Sequence, residues 1–183
     1  MSRVPLIDAD CQEAVVAEVF QKFAREGRRP IALYRAMANA PRMLRAYSGL
    51  AGALRYDAST PRALRELAIL RVAQLTGSDY EWSHHRPMAT GAGLAPEKID
   101  ALRHWRQSTL FSALEQATLR CADEMHALAL SDAAFAALRE SLDEGQAVEI
   151  VLLIAFYEAI ARLIQALGIE VEDAYRQHLD GLP

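Results

Sequence analysis

The run Ala73-Gln74-Leu75-Thr76-Gly77-Ser78-Asp79-Tyr80-Glu81 constrains the fold more than any other segment. An apolar, helix-period stretch over residues 62–76 stops at Gly77, the residue type that best tolerates a left-handed helix end. The next residue already begins Ser-x-x-Glu, the capping-box pattern that opens a new helix. No residues remain for a loop, so the two helices must fold back on each other as a hairpin. The second helix is expected to run to about Ala92, with Gly93 as its stop.

The same punctuation recurs along the chain. Asp10-Cys11-Gln12-Glu13 is a capping-box pattern that would open a helix over 10–26. Pro30, Pro41 and Pro96 sit where helices start. Ser112-x-x-Glu115 opens a long helix, Ser131 or Asp132 caps another, and residues 146–167 form the longest apolar one, closed by Gly168. Ala and Leu dominate and β-branched runs are short, so the expectation is an all-α fold of seven to nine helices. One helical domain over residues 1–183 is expected, with an N-terminal extension over 1–40 and a core over about 41–168. The 62–76 helix carries Leu64, Leu67, Ile69, Leu70, Val72 and Leu75 around nearly its whole circumference. This predicts a homo-oligomer with that helix at subunit contacts.

Composition removes several function classes. Of 183 residues 52% are hydrophobic and 24% charged, which suits a packed core rather than disorder. The net charge of −4 and the scattered arginines argue against nucleic acid as a partner. The most apolar run, 150–157, falls well short of the roughly 20 residues a spanning helix needs, so no membrane partner is expected. Cys11 and Cys121 form no disulfide framework and no secretory pattern opens the chain, so a reduced, cytoplasmic setting is the expectation.

Chemistry concentrates between positions 66 and 85, in Glu66, Tyr80, Glu81, His84 and His85. Glu81 and His85 are four apart on one helix and share a face with Met88 and Ala92. A carboxylate and an imidazole in an apolar strip can hold a proton near neutral pH, as general acid/base work requires. Glu66, across the hairpin, could approach this pair. Each residue has a plainer reading too. Glu81 is the N3 member of its capping box, Glu66 can pair with Arg62 one turn earlier, and the two histidines can be interior or interface residues. Tyr80 and Trp82 fit as packing residues, Tyr157 and Arg162 as core and ion-pair residues, and Cys121 as buried beside Met125. The Glu81/His85 spacing also suits two metal ligands, but no third ligand has the matching spacing, so neither a metal nor another cofactor is assigned.

The stretch from Leu64 to Ala73, then Tyr80-Glu81-Trp82-Ser83-His84-His85 and Gly91-Ala92-Gly93-Leu94, resembles the carboxymuconolactone decarboxylase family, which includes the alkyl hydroperoxidase D-like (AhpD-like) proteins. The similarity is firm over about 41–102 and looser to Gly168. It implies an all-helical fold around an antiparallel helix hairpin, assembled as dimers, trimers or hexamers. The peroxidase branch uses a Cys-x-x-Cys-x-x-x-His motif preceded by a glutamate. If His85 matches that histidine, Ser78 and Glu81 replace the two cysteines, Glu66 matches the upstream glutamate, and Tyr80 falls where a second histidine can sit. Peroxide reduction needs thiols, which serine and glutamate do not supply. The cysteine-free branch therefore fits better. It implies a cofactor-independent acid/base enzyme acting on a small carboxylated lactone or related metabolite, with Glu66, Glu81 and His85 catalytic and Tyr80 and His84 holding substrate. A thiol peroxidase and a non-catalytic ligand-binding oligomer are the alternatives. The extra N-terminal helices would either cap the pocket or build another subunit contact.

Overall fold

The computed structural model describes residues 2–180, and no β-strand occurs among them. The helices are α1 (Ala14–Arg25), α2 (Ala32–Met37), α3 (Pro41–Gly52), α4 (Arg62–Thr76), α5 (Asp79–Gly91), α6 (Pro96–Ala101), α7 (Ala113–His126), α8 (Asp132–Arg139) and α9 (Glu144–Leu167). A π-helical turn, Ala53–Asp57, follows α3 directly, and 3₁₀ turns span Leu102–Gln107 and Asp173–His178.

The α4–α5 hairpin forms as the sequence requires. Gly77 closes α4 in the left-handed conformation (φ 64°, ψ 33°), and the Ser78 hydroxyl accepts from the Glu81 N–H at 3.3 Å. α9 begins two residues before the expected start because Asp143 caps it in a complete box with Gln146. α1 begins later than expected. Its cap is the Glu13 carboxylate, which accepts from the Val16 N–H at 2.7 Å, while Asp10 lies in the preceding turn.

α4 is the central element, packed against α5, α7 and α9. Leu67, Ile69, Leu70 and Val72 are at most 1% exposed. Full burial of such a side chain contributes about 1.5–3 kcal/mol. This corrects the expectation that α4 lies at a subunit contact, because its apolar faces are covered by helices of its own chain.

A second apolar cluster joins α1 to α3 through Val16, Val19, Phe20 and Leu44. A third ties α2 to α5 and α9 through Leu33, Tyr80, Ile160 and Ile164. The N-terminal helices thus close over one side of the hairpin and form part of the wall of the candidate site.

Candidate functional site

Glu66 projects from α4 and is fully buried. One carboxylate oxygen accepts from Arg62 Nε at 2.7 Å, and the other meets His85 Nδ1 at 2.8 Å. Glu66 thus holds both the partner expected from its own helix and the one across the hairpin. Burial alone would raise its pKa, but His85 and Arg62 outweigh burial and hold the carboxyl below its ordinary range. An anionic Glu66 orients His85 with Nδ1–H toward it, leaving Nε2 for other chemistry. The His85 ring meets Tyr157 edge-on at 5.0 Å.

Glu81 is 3% exposed, and neither carboxylate oxygen has a hydrogen-bond partner among the described residues. Its capping-box reading is half right. Ser78 caps the Glu81 N–H, but the Ser78 N–H donates to Ala73 O at 2.9 Å, so the Glu81 side chain is not used in the cap. Burial pushes its pKa up to about 8. The nearby Ser78 hydroxyl offsets part of the shift without hydrogen-bonding either oxygen, and the Glu158 carboxylate adds to it. Near pH 7 Glu81 is mostly the neutral acid. The sequence suggested a Glu81–His85 pair; in the structure His85 is bonded to Glu66, and Glu81 stands alone in the same chamber. An apolar strip stabilises an ion pair poorly, and Glu66 already carries the charge that Arg62 compensates.

That chamber has a volume of about 40 Å³ and is lined by Tyr34, Tyr47, Arg55, Glu81, His85 and Tyr157, among others. Tyr80 and His84 also border it, but their polar atoms are engaged. The Tyr80 hydroxyl accepts from the Leu33 N–H at 3.2 Å and donates to Glu172 at 3.1 Å. His84 Nε2 lies 2.8 Å from the other Glu172 oxygen, and its ring is stacked between Tyr80 and Tyr175. Glu172 also accepts from the Ala32 N–H at 2.7 Å. Tyr80 and Glu172 thus satisfy two orphan donors at the start of α2, which has no side-chain cap of its own.

Sequence reasoning missed several lining residues. Tyr157 reads from the sequence as a core residue, and Tyr34, Tyr47 and Arg55 carry no signal because they precede the hairpin in an unpatterned stretch. A larger, more open cleft of about 780 Å³ is lined by Thr76, Ser78, His126 and Arg162, but neither Glu81 nor His85 borders it. Cys121 is buried beside Met125, with its sulfur 3.8 Å from the methionine's, and burial raises its pKa to about 11. Neither cysteine lines the chamber. Among the described residues, no group of three His, Cys, Asp or Glu side chains is arranged to hold a metal ion. No helix is long and apolar enough to cross a membrane among the described residues.

The comparisons with known proteins agree with this layout. Residues 41–124 match the Carboxymuconolactone decarboxylase family. The uncharacterized protein YdfG of Bacillus subtilis (strain 168) is 28% identical over 115 residues, 61% of this chain and 78% of YdfG. The debrominase Bmp8 has the same fold, with a TM-score of 0.83 at 24% identity, covering 99% of this chain and 97% of Bmp8. The alkylhydroperoxidase AhpD core protein of Ralstonia eutropha JMP134, described as peroxidase-related, superposes with a TM-score of 0.80 at 19% identity, covering 100% of this chain and 97% of that one. The chain is thus similar to the carboxymuconolactone decarboxylase family over residues 41–124, and its all-α fold is AhpD-like.

Proposed function

We propose that this chain is a cofactor-independent acid/base enzyme that removes carbon dioxide from a small carboxylated lactone or a closely related metabolite. The observation that carries this reading is Glu81, a buried carboxyl group with a raised pKa and no partner, facing the same chamber as His85. A protonated carboxyl held in that state near neutral pH is a general acid.

In the proposed reaction the bond between the ring carbon and the leaving carboxylate breaks, and its electron pair moves into the conjugated lactone carbonyl. Doubly protonated His85 donates from Nδ1 to Glu66 and from Nε2 to the developing oxyanion. Glu66 balances the charge of the imidazolium. Glu81 then gives its proton to the carbon that lost carbon dioxide, and its carboxylate regains a proton from water. Tyr80 and His84 act here as positioning residues, since they fix α2 and the wall it supplies. Isomerisation of a related substrate would use the same acid and the neutral form of His85 as base.

The test is carbon dioxide release from carboxymuconolactone by the native chain, by His85→Ala and by Glu81→Gln. Release by the native chain that is lost in both variants supports the reading. Release that persists in both sinks the assigned roles. Absence of release from the native chain rejects this substrate and favours a non-catalytic binding role.

A further inference from the structure

The turn that follows α3 departs from α-helical geometry. Ala58 N–H bonds to Ala53 C=O at 3.0 Å, one residue beyond the α-helical partner, and such π-turns are frequent at functional sites. This turn sets Arg55 between two cavities. One is the chamber of Glu81 and His85; the other is an open cavity of about 460 Å³ between α1 and α3. Tyr34 and Arg55 line both. The inner chamber has room for a few water molecules or one end of a small molecule, whereas the outer cavity is of ordinary ligand size.

The Arg55 guanidinium is half-buried and forms no salt bridge to a carboxylate among the described residues. Nε donates to Ala51 O at 3.0 Å and Nη2 to the Tyr34 hydroxyl at 3.1 Å, which uses two of its five N–H donors. The Tyr47 and Tyr157 hydroxyls, which border the same chamber, take no hydrogen-bond partner from the described residues. The backbone of Arg55 is pinned as well. Its carbonyl accepts from Arg62 at 3.2 Å and from Arg65 at 3.1 Å. Arg62 is also the residue that holds Glu66, so one side chain ties the turn to the Glu66–His85 pair. The outer cavity is lined by Lys22, Arg25, Arg28 and Arg55 against two acids, Glu26 and Asp57, and Arg28 is paired with Glu26. The excess of positive charge at its rim favours entry of an anion.

We infer that Arg55 anchors a carboxylate of a small-molecule substrate at the junction of the two cavities, with the reacting end presented to Glu81 and His85. This rests on the reading of the chamber as the reaction site. It also narrows the substrate. A carboxylate held by a guanidinium is stabilised in the ground state, so the anchored group is not the one lost as carbon dioxide. The substrate therefore carries a second anionic group.

Binding tests this without requiring turnover. The probe is 2-furoate, a flat five-membered ring with one carboxylate, and its neutral control is methyl 2-furoate. Affinities are measured by calorimetry on the native chain, Arg55→Met, Arg55→Lys and His85→Ala. Native binding of 2-furoate should weaken by about tenfold or more in Arg55→Met. Arg55→Lys should fall between the two, because it keeps the charge and loses the planar fork. The methyl ester should bind weakly and equally to all. Undiminished 2-furoate binding in Arg55→Met, or a methyl ester that binds as tightly as the anion, overturns the proposal. His85→Ala that binds 2-furoate normally but releases no carbon dioxide separates the anchor from the chemistry. Failure of native turnover with Arg55-dependent binding intact would count against the decarboxylase reading alone. The lysine variant, checked for an unchanged helical spectrum, distinguishes a lost anchor from a collapsed turn.

Discussion

Two carboxylate–imidazole pairs sit side by side on α5, and they differ in everything but their length. His85 Nδ1 meets Glu66 at 2.8 Å, and His84 Nε2 meets Glu172 at 2.8 Å. Adjacent residues on a helix point about 100° apart. That rotation sends His85 toward the chamber of Glu81, with Nε2 uncommitted. It sends His84 between two aromatic rings, against a glutamate that also serves Tyr80 and the start of α2. Burial outweighs Glu172 and lowers the His84 pKa, which favours the neutral ring. Hydrogen-bond geometry alone therefore does not mark a catalytic histidine. What distinguishes His85 is the second nitrogen, the unpaired acid nearby and the space between them.

The comparison is broken most directly at His85. His85→Ala is expected to lower turnover by about 100- to 10,000-fold, with the helical spectrum unchanged. Glu81→Gln should lower turnover comparably while moving stability the other way. The folded state holds the Glu81 pKa at about 8, above its unfolded value, so this group favours folding below the unfolded value and loses that contribution as pH rises toward 8. Removing the charge should thus stabilise the chain by several kcal/mol above pH 8, on the order of 5 kcal/mol at full effect, and by little at pH 4. Chemical denaturation at the two pH values reads this directly; equal effects at both would mean Glu81 is not buried as an acid. In the native chain, turnover should fall as pH rises through about 8, because the acid is then ionised.

Glu66 is expected to show a smaller loss of turnover and the opposite pH sign. Glu66→Gln keeps one acceptor for His85 but removes the negative charge that faces Arg62 and His85. Turnover should fall by about tenfold or more and stability by about 3 kcal/mol at pH 7. Its folded pKa lies below the ordinary carboxylate value, so its contribution is complete at neutral pH and is lost as pH falls through the folded value. The destabilisation should therefore vanish in acid. A variant as destabilised at pH 3 as at pH 7 would show a packing defect rather than a lost charge.

The sequence made the hairpin legible because its signals are local. Gly77, Ser78 and Glu81 lie within five residues and specify a stop, a cap and a face. The same locality placed Glu66, Glu81 and His85 together, since one tight turn relates them. It failed wherever a partner comes from far along the chain. The cap of α2 is Tyr80 and Glu172, up to 140 residues away, so Pro30 gives only a rough start. Arg55 lies in a π-turn that no periodicity announces. Glu81 has the spacing of a capping residue, but the Ser78 N–H it would bond is taken by the Ala73 carbonyl. The apolar circumference of α4 pointed to a subunit contact because amphipathicity does not say which chain covers a face.

The smallest change in turnover is expected at His84, where the contrast with its neighbour is sharpest. His84→Phe keeps a flat ring between Tyr80 and Tyr175 and removes only the bond to Glu172. Glu172 retains Ala32 N–H and the Tyr80 hydroxyl, so α2 stays capped and the chamber wall stays in place. The half-buried Glu172 carboxylate loses one partner, which costs about 0.5–1.5 kcal/mol of stability. Turnover should stay within about threefold of native, with the fall in turnover near pH 8 unmoved, because no group that handles the proton has changed. Parallel pH–rate profiles of His84→Phe and His85→Ala decide the matter. If His84→Phe loses as much turnover as His85→Ala, the two pairs on α5 do not differ in kind, and the chamber of Glu81 loses its claim to be the reaction site.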